Sequence, residues 1–163
     1  MIILLFLRKA LKILEQSLEK NPNSPQLNMH YIRALINDKQ YNMAEAKLAQ
    51  QLLRQPQNTE MWLMHALLSY DNQHDEQAIK SFNTLIFLNS NVDESFYFLG
   101  MIAKRQNKLS QAEYYFNRIT DGDRFLSAQV ELATLRIKDK RDVQMRQQFN
   151  DSRQQHPEIA NTL

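Results

Sequence analysis

The chain has 163 residues and a formal net charge of +2 with acidic and basic residues interleaved, which argues against nucleic acid and anionic membranes as partners. Its two glycines and four prolines are too few for a fold rich in turns and sheets, so helices are expected to dominate. The absence of cysteine from the sequence excludes disulfides, thiolate metal ligands and a cysteine nucleophile, and it fits a reducing cytosol and an oxidising periplasm equally well.

The first predicted element is a helix over residues 2–20, with Leu7, Leu11 and Leu14 on one face. The apolar run of residues 1–7 suggests a signal peptide, but basic residues follow the run and no small-residue cleavage site appears. The run is also shorter than the roughly 20 residues that cross a bilayer, so no membrane span is expected. We expect a buried helix that lacks its usual cover, either because the chain is part of a longer array or because two copies pack there. Packing of two copies would make a homo-oligomer, with these candidate self-association residues: Ile3, Leu4, Leu7 and Leu11.

Three helical hairpins of equal length are predicted next, at residues 25–58, 59–92 and 93–126. Each first helix is expected to follow a capping side chain, and the three caps are Ser24, Thr59 and Asp93. Short polar turns separate the two helices of each hairpin. The predicted first helices span 25–37, 60–71 and 94–105, and the predicted second helices span 41–54, 75–88 and 110–120.

A further helix is predicted over residues 125–138. Three of its apolar side chains are expected to face inward: Val130, Ala133 and Ile137. Polar residues then crowd residues 144–155, which is typical of a terminal capping element with a wet outer face. The predicted organisation is a single domain over residues 1–155, in which residues 127–155 form a degenerate capping repeat, followed by a frayed tail at 156–163.

The hairpins repeat one pattern of small and large residues at a spacing of 34. The sets that recur at this spacing are Pro22 and Pro56; Ala44, Ala78 and Ala112; Trp62 and Phe96; and Phe82 and Phe116. Gly100 is predicted to lie where the two helices of the third hairpin cross, and Ala66 holds the same place one period earlier. A small residue there lets the helix axes approach. Ile32 occupies that place in the first hairpin, so its helices are expected to pack further apart.

A helical hairpin of this length with these residues resembles the tetratricopeptide repeat family, and the resemblance covers nearly the whole chain. It implies an all-α fold, a right-handed α-α superhelix, with about three complete repeats between half a repeat and a degenerate one. Members of the family bind peptides in the concave groove that the first helix of each repeat lines. The resemblance therefore implies a non-enzymatic adaptor or scaffold that binds a peptide or helix of another protein.

The groove positions of that family, placed on this chain, predict an apolar surface with a basic margin that includes Lys138. The candidate groove residues are Met29, Arg33, Leu63, Leu67, Tyr70, Tyr97, Met101, Lys104 and Arg105. Such a surface suits an amphipathic helix or an extended segment with apolar anchors and a few acidic residues. The alternative interpretation is that several of these side chains are ordinary core between helices, since stripes at helical spacing usually are.

The best-known subgroup of the family grips a C-terminal carboxylate with lysine, asparagine and arginine side chains. The matching positions of this chain hold Met29, Arg33, Met64, Glu94 and Phe98. Only Arg33 among them is a cation, so the carboxylate clamp is absent and the C-termini of chaperones are not expected partners.

A narrower resemblance covers residues 96–135, which look like repeats of gammaproteobacterial outer-membrane lipoproteins that act as adaptors for a carboxy-terminal processing protease. A mature lipoprotein needs an N-terminal cysteine, and this sequence has none, so the chain would have to be a fragment or a divergent relative. The alternative function is therefore a self-associating module, or a fragment of a longer array such as an envelope adaptor for a protease.

Residues with catalytic or metal-binding chemistry are scattered along the sequence. The histidines are His30, His65, His74 and His156, and their spacing matches no metal motif. Asp75 and Glu76 are best explained by a helix N-terminus, and residues 121–123 by a turn. No glycine-rich phosphate loop or nucleophile elbow can be assembled, so no catalytic, cofactor or metal residue and no enzymatic activity is predicted.

Overall fold

The computed structural model describes residues 2–155, and this part of the chain consists of eight helices joined by short turns. The helices are α1 Ile2–Lys20, α2 Pro25–Asn37, α3 Tyr41–Arg54, α4 Thr59–Asp71, α5 Asp75–Phe87, α6 Val92–Arg105, α7 Leu109–Phe116 and α8 Phe125–Gln155. The side chains of residues 2–5, 7, 145 and 148–155 lie outside the description, as does the predicted tail at 156–163. The described residues are thus all-α, as the sequence predicts.

The helices form two compact units, Met1–Phe98 and Leu99–Leu163, and the boundary between the units falls within α6. In the first unit α1 packs against α2, α2 against α3, α3 against α4, and α4 against α5. In the second unit α7 packs against α8. The domain predicted over residues 1–155 spans both units.

The helix ends show which polar groups start and stop each element. The Ser24 hydroxyl accepts a hydrogen bond from the Leu27 backbone N–H at 3.4 Å, as its predicted role as cap of α2 requires. The predicted cap of α4 was wrong by one residue, because Asn58 accepts from the Met61 N–H at 3.0 Å and Thr59 is already helical. Asp93 likewise lies inside the first turn of α6 and does not cap it.

The turns inside the three hairpins share one backbone conformation. Lys39, Gln73 and Asn107, which lie one period apart, have φ values of 60°, 61° and 58°, in the left-handed region. In each turn the next residue's N–H bonds back to a carbonyl five residues earlier, as Gln40 does to Leu35 at 2.9 Å. This bond satisfies a carbonyl that the helix end leaves free, so the period recurs in the backbone as well as in the core.

The core of the hairpins is built from the residues that recur in the sequence. The fully buried members of this set, at 0% exposure, are Ala44, Ala66, Ala78, Ala112, Phe82 and Phe116. A Cβ atom added to Gly100 would lie 2.5 Å from Cε1 of Phe116, so the glycine is needed for the close approach of α6 and α7. In the first hairpin Ile32 is buried, and α2 packs less extensively against α3 than α4 does against α5.

Helix α8 differs from the prediction in length and in the face that it buries. It continues without a break to Gln155, so the described chain does not turn back after Lys138. The predicted inward face was wrong: Val130 and Ile137 are 58% and 56% exposed and Ala133 is also exposed. Among the side chains of this helix that the structure describes, the buried ones are Ala128, Leu132 and Leu135. Both stripes have helical spacing, so periodicity alone could not choose between them.

We expect Gly100→Ala to destabilise the protein by about 1–3 kcal/mol, because the added methyl group would overlap the buried Phe116 ring. At an exposed helical site the same change stabilises by about 1 kcal/mol, so the sign of the effect identifies the crossing. Chemical denaturation measures it, with Ala46→Gly on exposed α3 surface as the control for intrinsic propensity. A stabilised Gly100→Ala variant would contradict the close crossing.

Candidate peptide-binding groove

The predicted groove residues of the first unit lie on the first helices of the hairpins. Their positions are Met29 and Arg33 on α2, Leu63, Leu67 and Tyr70 on α4, and Tyr97 on α6. Arg33 is exposed, and the five others are half-buried, with part of each side chain open to solvent. Side chains in this state can be covered further by a partner, although Met29 also packs against the core of its unit.

An aromatic cluster connects the tyrosines of these helices to the core. The Tyr70 ring meets Phe98 edge to face at 4.7 Å between centroids, and Tyr97 meets the same ring edge to face at 5.6 Å. Phe98 in turn stacks on the buried Phe82 ring at 5.3 Å. Each such pair adds about 0.5–1.5 kcal/mol to area burial, so Phe98 holds the two tyrosines in fixed positions. Sequence reasoning considered Phe98 only as a position of the carboxylate clamp.

The only cation among the predicted groove residues of the first unit is already paired within the described chain. The Arg33 guanidinium lies 3.0 Å from the Glu60 carboxylate, and the two side chains are 54% and 67% exposed. A pair this exposed contributes about 0–1 kcal/mol to stability. Its main consequence is local neutrality, because the charge of Arg33 is balanced by a carboxylate on the next first helix.

The predicted groove residues of the second unit are Met101, Lys104 and Arg105, all on α6. Met101 is half-buried and Arg105 is exposed. The Lys104 ammonium forms a partly buried ion pair with Glu131 of α8. Lys138, predicted at the margin, is exposed, and its ammonium lies 3.4 Å from the Asn107 side-chain oxygen. Lys104, like Arg33, is therefore balanced by a carboxylate, which weakens the predicted basic margin.

A buried carboxylate that sequence reasoning missed ties α3 to the second hairpin. Glu45 is 7% exposed and accepts hydrogen bonds from the Ser69 hydroxyl at 2.7 Å, the Asn72 amide at 3.0 Å and the His74 ring at 2.8 Å. Its position could have been noticed, because Glu45 falls in the apolar stripe of α3 three residues before Leu48. The contact also gives His74 a structural partner.

The pKa values of two buried groups reflect these contacts. Burial raises the pKa of Glu45, but hydrogen bonds from Ser69, Asn72 and His74 and the charge of His74 outweigh it, so the pKa lies below its usual value. Burial also lowers the pKa of His65, whose Nδ1 lies 2.8 Å from the Ser81 hydroxyl. Both groups therefore act as fixed parts of the helix interfaces.

Neither a metal centre nor a membrane span emerges from the part of the chain that the structure describes. No group of three or more histidine, aspartate and glutamate side chains there is arranged to hold a metal ion. Among the same residues, no helix is both long and apolar enough to cross a membrane.

Comparison with known proteins agrees with the helical hairpins. Residues 7–68 match the family model for the tetratricopeptide repeat. No curated protein matches the sequence significantly. A structure described as the crystal structure of MamA protein superposes with a TM-score of 0.71 at 14% identity, covering 96% of this chain and 86% of that one. A second MamA crystal structure gives 0.71 at 14% identity, with 94% and 91% covered. The MamA RS-1 ArsTM double mutant gives 0.69 at 14% identity, with 96% and 88% covered.

Residues 7–68 carry tetratricopeptide repeats, and the described chain has the all-α fold of helical hairpins that the MamA structures share. The predicted tetratricopeptide resemblance and the predicted fold class are thereby confirmed. Folds of this class present surfaces for other proteins, which supports a role in protein–protein interaction. At 14% identity the likeness to MamA concerns the fold alone.

We expect Glu45→Gln to cost about 1.5–3 kcal/mol at neutral pH, because a hydrogen-bonded buried charge is lost. Since the folded pKa of Glu45 is lowered, the unfolded chain takes up a proton first as pH falls. Its stabilisation is complete above the unfolded pKa of about 4.3 and is lost as pH falls through the folded pKa.

Denaturant titrations at several pH values measure this dependence. The wild type should lose stability more steeply than Glu45→Gln below the unfolded pKa, while the exposed control Glu60→Gln should follow the wild type. Equal slopes for the wild type and Glu45→Gln would contradict the assigned role of the buried carboxylate.

Proposed function

We propose that the chain is a non-enzymatic adaptor that binds a peptide or helix of another protein across the first helices of its hairpins. One observation supports this most strongly: the half-buried apolar side chains Met29, Leu63, Leu67, Tyr70 and Tyr97 lie on successive first helices of one unit. Such side chains gain further burial when a partner covers them, whereas core side chains are already covered.

The chemistry of these side chains indicates what the partner segment carries. Methionine adapts its shape to an apolar side chain, and tyrosine offers a flat apolar ring with a hydroxyl at its edge. The segment is therefore expected to have bulky apolar anchors at helical or alternating spacing. Because Glu60 balances Arg33, acidic residues of the partner contribute less than the sequence suggested. For the same reason we do not assign a carboxylate clamp to Arg33.

Selection of a displayed random-peptide library against the purified chain tests the groove. We expect selected peptides to share apolar anchors, and the double variant Leu67→Glu with Tyr97→Ala to bind them at least about thirty-fold more weakly. Val130→Glu places the same charge on an exposed apolar position of α8 and should leave binding unchanged.

Circular dichroism melting shows whether the double variant is still folded. If the Leu67→Glu, Tyr97→Ala chain is folded and still binds the peptides, these residues are not part of the groove. If it loses both binding and the cooperative melting of its helices, these residues belong to the core.

A second candidate function, self-association through α1, is favoured by two exposed apolar side chains. Phe6 and Ile13 are 68% and 54% exposed, and their spacing of seven residues places them on one face of α1. Of the residues proposed from sequence, Leu11 is buried in the core of the first unit, while Ile3, Leu4 and Leu7 have side chains outside the description. The envelope-adaptor role rests on the narrower sequence resemblance alone and stays a prediction.

If α1 mediates self-association, light scattering should show an oligomer whose population rises with concentration. Phe6→Lys with Ile13→Lys should convert it to a monomer with unchanged helical content, because both sites are exposed. Leu126→Lys, at a position 72% exposed on α8, is the matched control and should not change the mass. A wild-type monomer at the highest soluble concentration would contradict this candidate.

A further inference from the structure

Two equivalent crevices lie within the first unit, one repeat apart. The first crevice opens between α1, α2 and α3 around Pro22, and the second opens between α3, α4 and α5 around Pro56. Their lining residues correspond at the 34-residue period, since Leu18 of the first matches Leu52 of the second. The two crevices therefore have the same backbone environment but different side chains.

The second crevice is apolar where the first is polar. Glu15, Glu19 and Asn28 line the first crevice, and the corresponding residues of the second are Ala49, Leu53 and Trp62. Leu53 is 86% exposed, so it adds almost no burial to the folded chain. Because the fold accommodates a glutamate at the corresponding position, folding alone does not account for a leucine there.

Three polar side chains that line the second crevice have hydrogen-bond partners inside the protein. The Trp62 indole N–H donates to the Pro56 carbonyl at 2.8 Å, and the His65 ring bonds the Ser81 hydroxyl at 2.8 Å. Among its lining residues, all of which the structure describes, Lys80 is the one lysine or arginine, and none is a carboxylate. The crevice thus offers an apolar trough with a positive charge on an exposed side chain.

The size and openness of the second crevice fit a peptide. Its volume is about 570 Å³, which lies within the range of ligand sites. The apolar surface continues along α5, because Phe87, 85% exposed, follows the lining residue Thr84 by one helical turn. An occupant that covers both the trough and this extension has to be longer than a single side chain.

We propose that the second crevice binds a short acidic peptide segment of another protein, with a bulky apolar side chain against Trp62 and Leu53 and a neighbouring carboxylate on Lys80. This site is separate from the proposed groove. Trp62 and His65 project from a different face of α4 than Leu63, Leu67 and Tyr70 do, because successive residues of a helix turn by 100°.

The test titrates the full chain with the acetylated, amidated pentapeptide Asp-Leu-Phe-Asp-Leu and with its counterpart in which both aspartates are lysines. Trp62 is the single tryptophan of the chain, and the peptides contain none, so its emission reports occupancy directly. We expect the acidic peptide to bind at least about five-fold more tightly and to shift the emission to shorter wavelength. If neither peptide changes the emission of Trp62, or if the two peptides bind with equal affinity, the proposal is overturned.

Variants of the lining residues give a second test of the proposal. Leu53→Glu copies Glu19 of the first crevice and should weaken the acidic peptide at least about ten-fold, and Lys80→Glu should reverse the preference between the peptides. Leu126→Glu on α8 is the matched control for an exposed leucine and should bind as the wild type does. Undiminished binding by a Leu53→Glu chain with unchanged melting temperature would overturn the proposal.

The groove variant Leu67→Glu with Tyr97→Ala separates this proposal from the proposed function. The acidic peptide should still bind to the crevice of that variant. If a folded variant no longer binds the peptide, the peptide binds in the groove and the crevice proposal is overturned. Light scattering at the same concentrations tests the other occupant, a second copy of the chain. A wild-type dimer that Leu53→Glu converts to a monomer would assign the crevice to self-association and overturn the peptide proposal.

Discussion

The close crossing of the two helices in a hairpin is the constraint on which the rest of the structure depends. In the third hairpin the helices approach so closely that a single methyl group on Gly100 would overlap Phe116. In the second hairpin Ala66 and Phe82 hold the corresponding places, and both are fully buried. A hairpin packed this tightly has little freedom to rearrange, so its remaining apolar faces must be covered by neighbouring helices or by partners.

Helix α4 shows how one element serves several purposes once its crossing is set. Ala66 is buried in the hairpin core, and Trp62, one turn earlier on the same side of the helix, lines the second crevice, whereas Leu67 lies on the proposed groove face. Both sides carry apolar side chains because the helix is apolar on most sides, and burial at the crossing leaves the rest to the surface. The surfaces proposed for binding are thus consequences of which side chains the crossing leaves uncovered.

Several charged side chains in this fold form hydrogen bonds and ion pairs between helices, and they are therefore less available to bind a partner. Glu45 is buried and fully engaged by three donors, so its carboxylate holds α3 against the turn between α4 and α5. Arg33 and Lys104 are balanced by carboxylates of neighbouring helices. Lys80 is different, because its surroundings in the second crevice contain apolar side chains and no acid. Charge is therefore available to a partner at fewer places than the sequence indicates.

The sequence by itself determined that the chain is helical, the period of the hairpins and the small residue at the crossings of the second and third hairpins, because these follow from local propensity and from spacing along the chain. It also predicted that the groove candidates lie on the first helices of the hairpins, and their positions on α2, α4 and α6 agree with this. Only the tertiary structure decided that α8 buries Ala128 and Leu132 instead of Val130, since both stripes have the same spacing. The engagement of Glu45 and the apolar character of the second crevice were likewise beyond sequence reasoning. Such features depend on which side chains from distant parts of the chain face each other, and packing alone sets that.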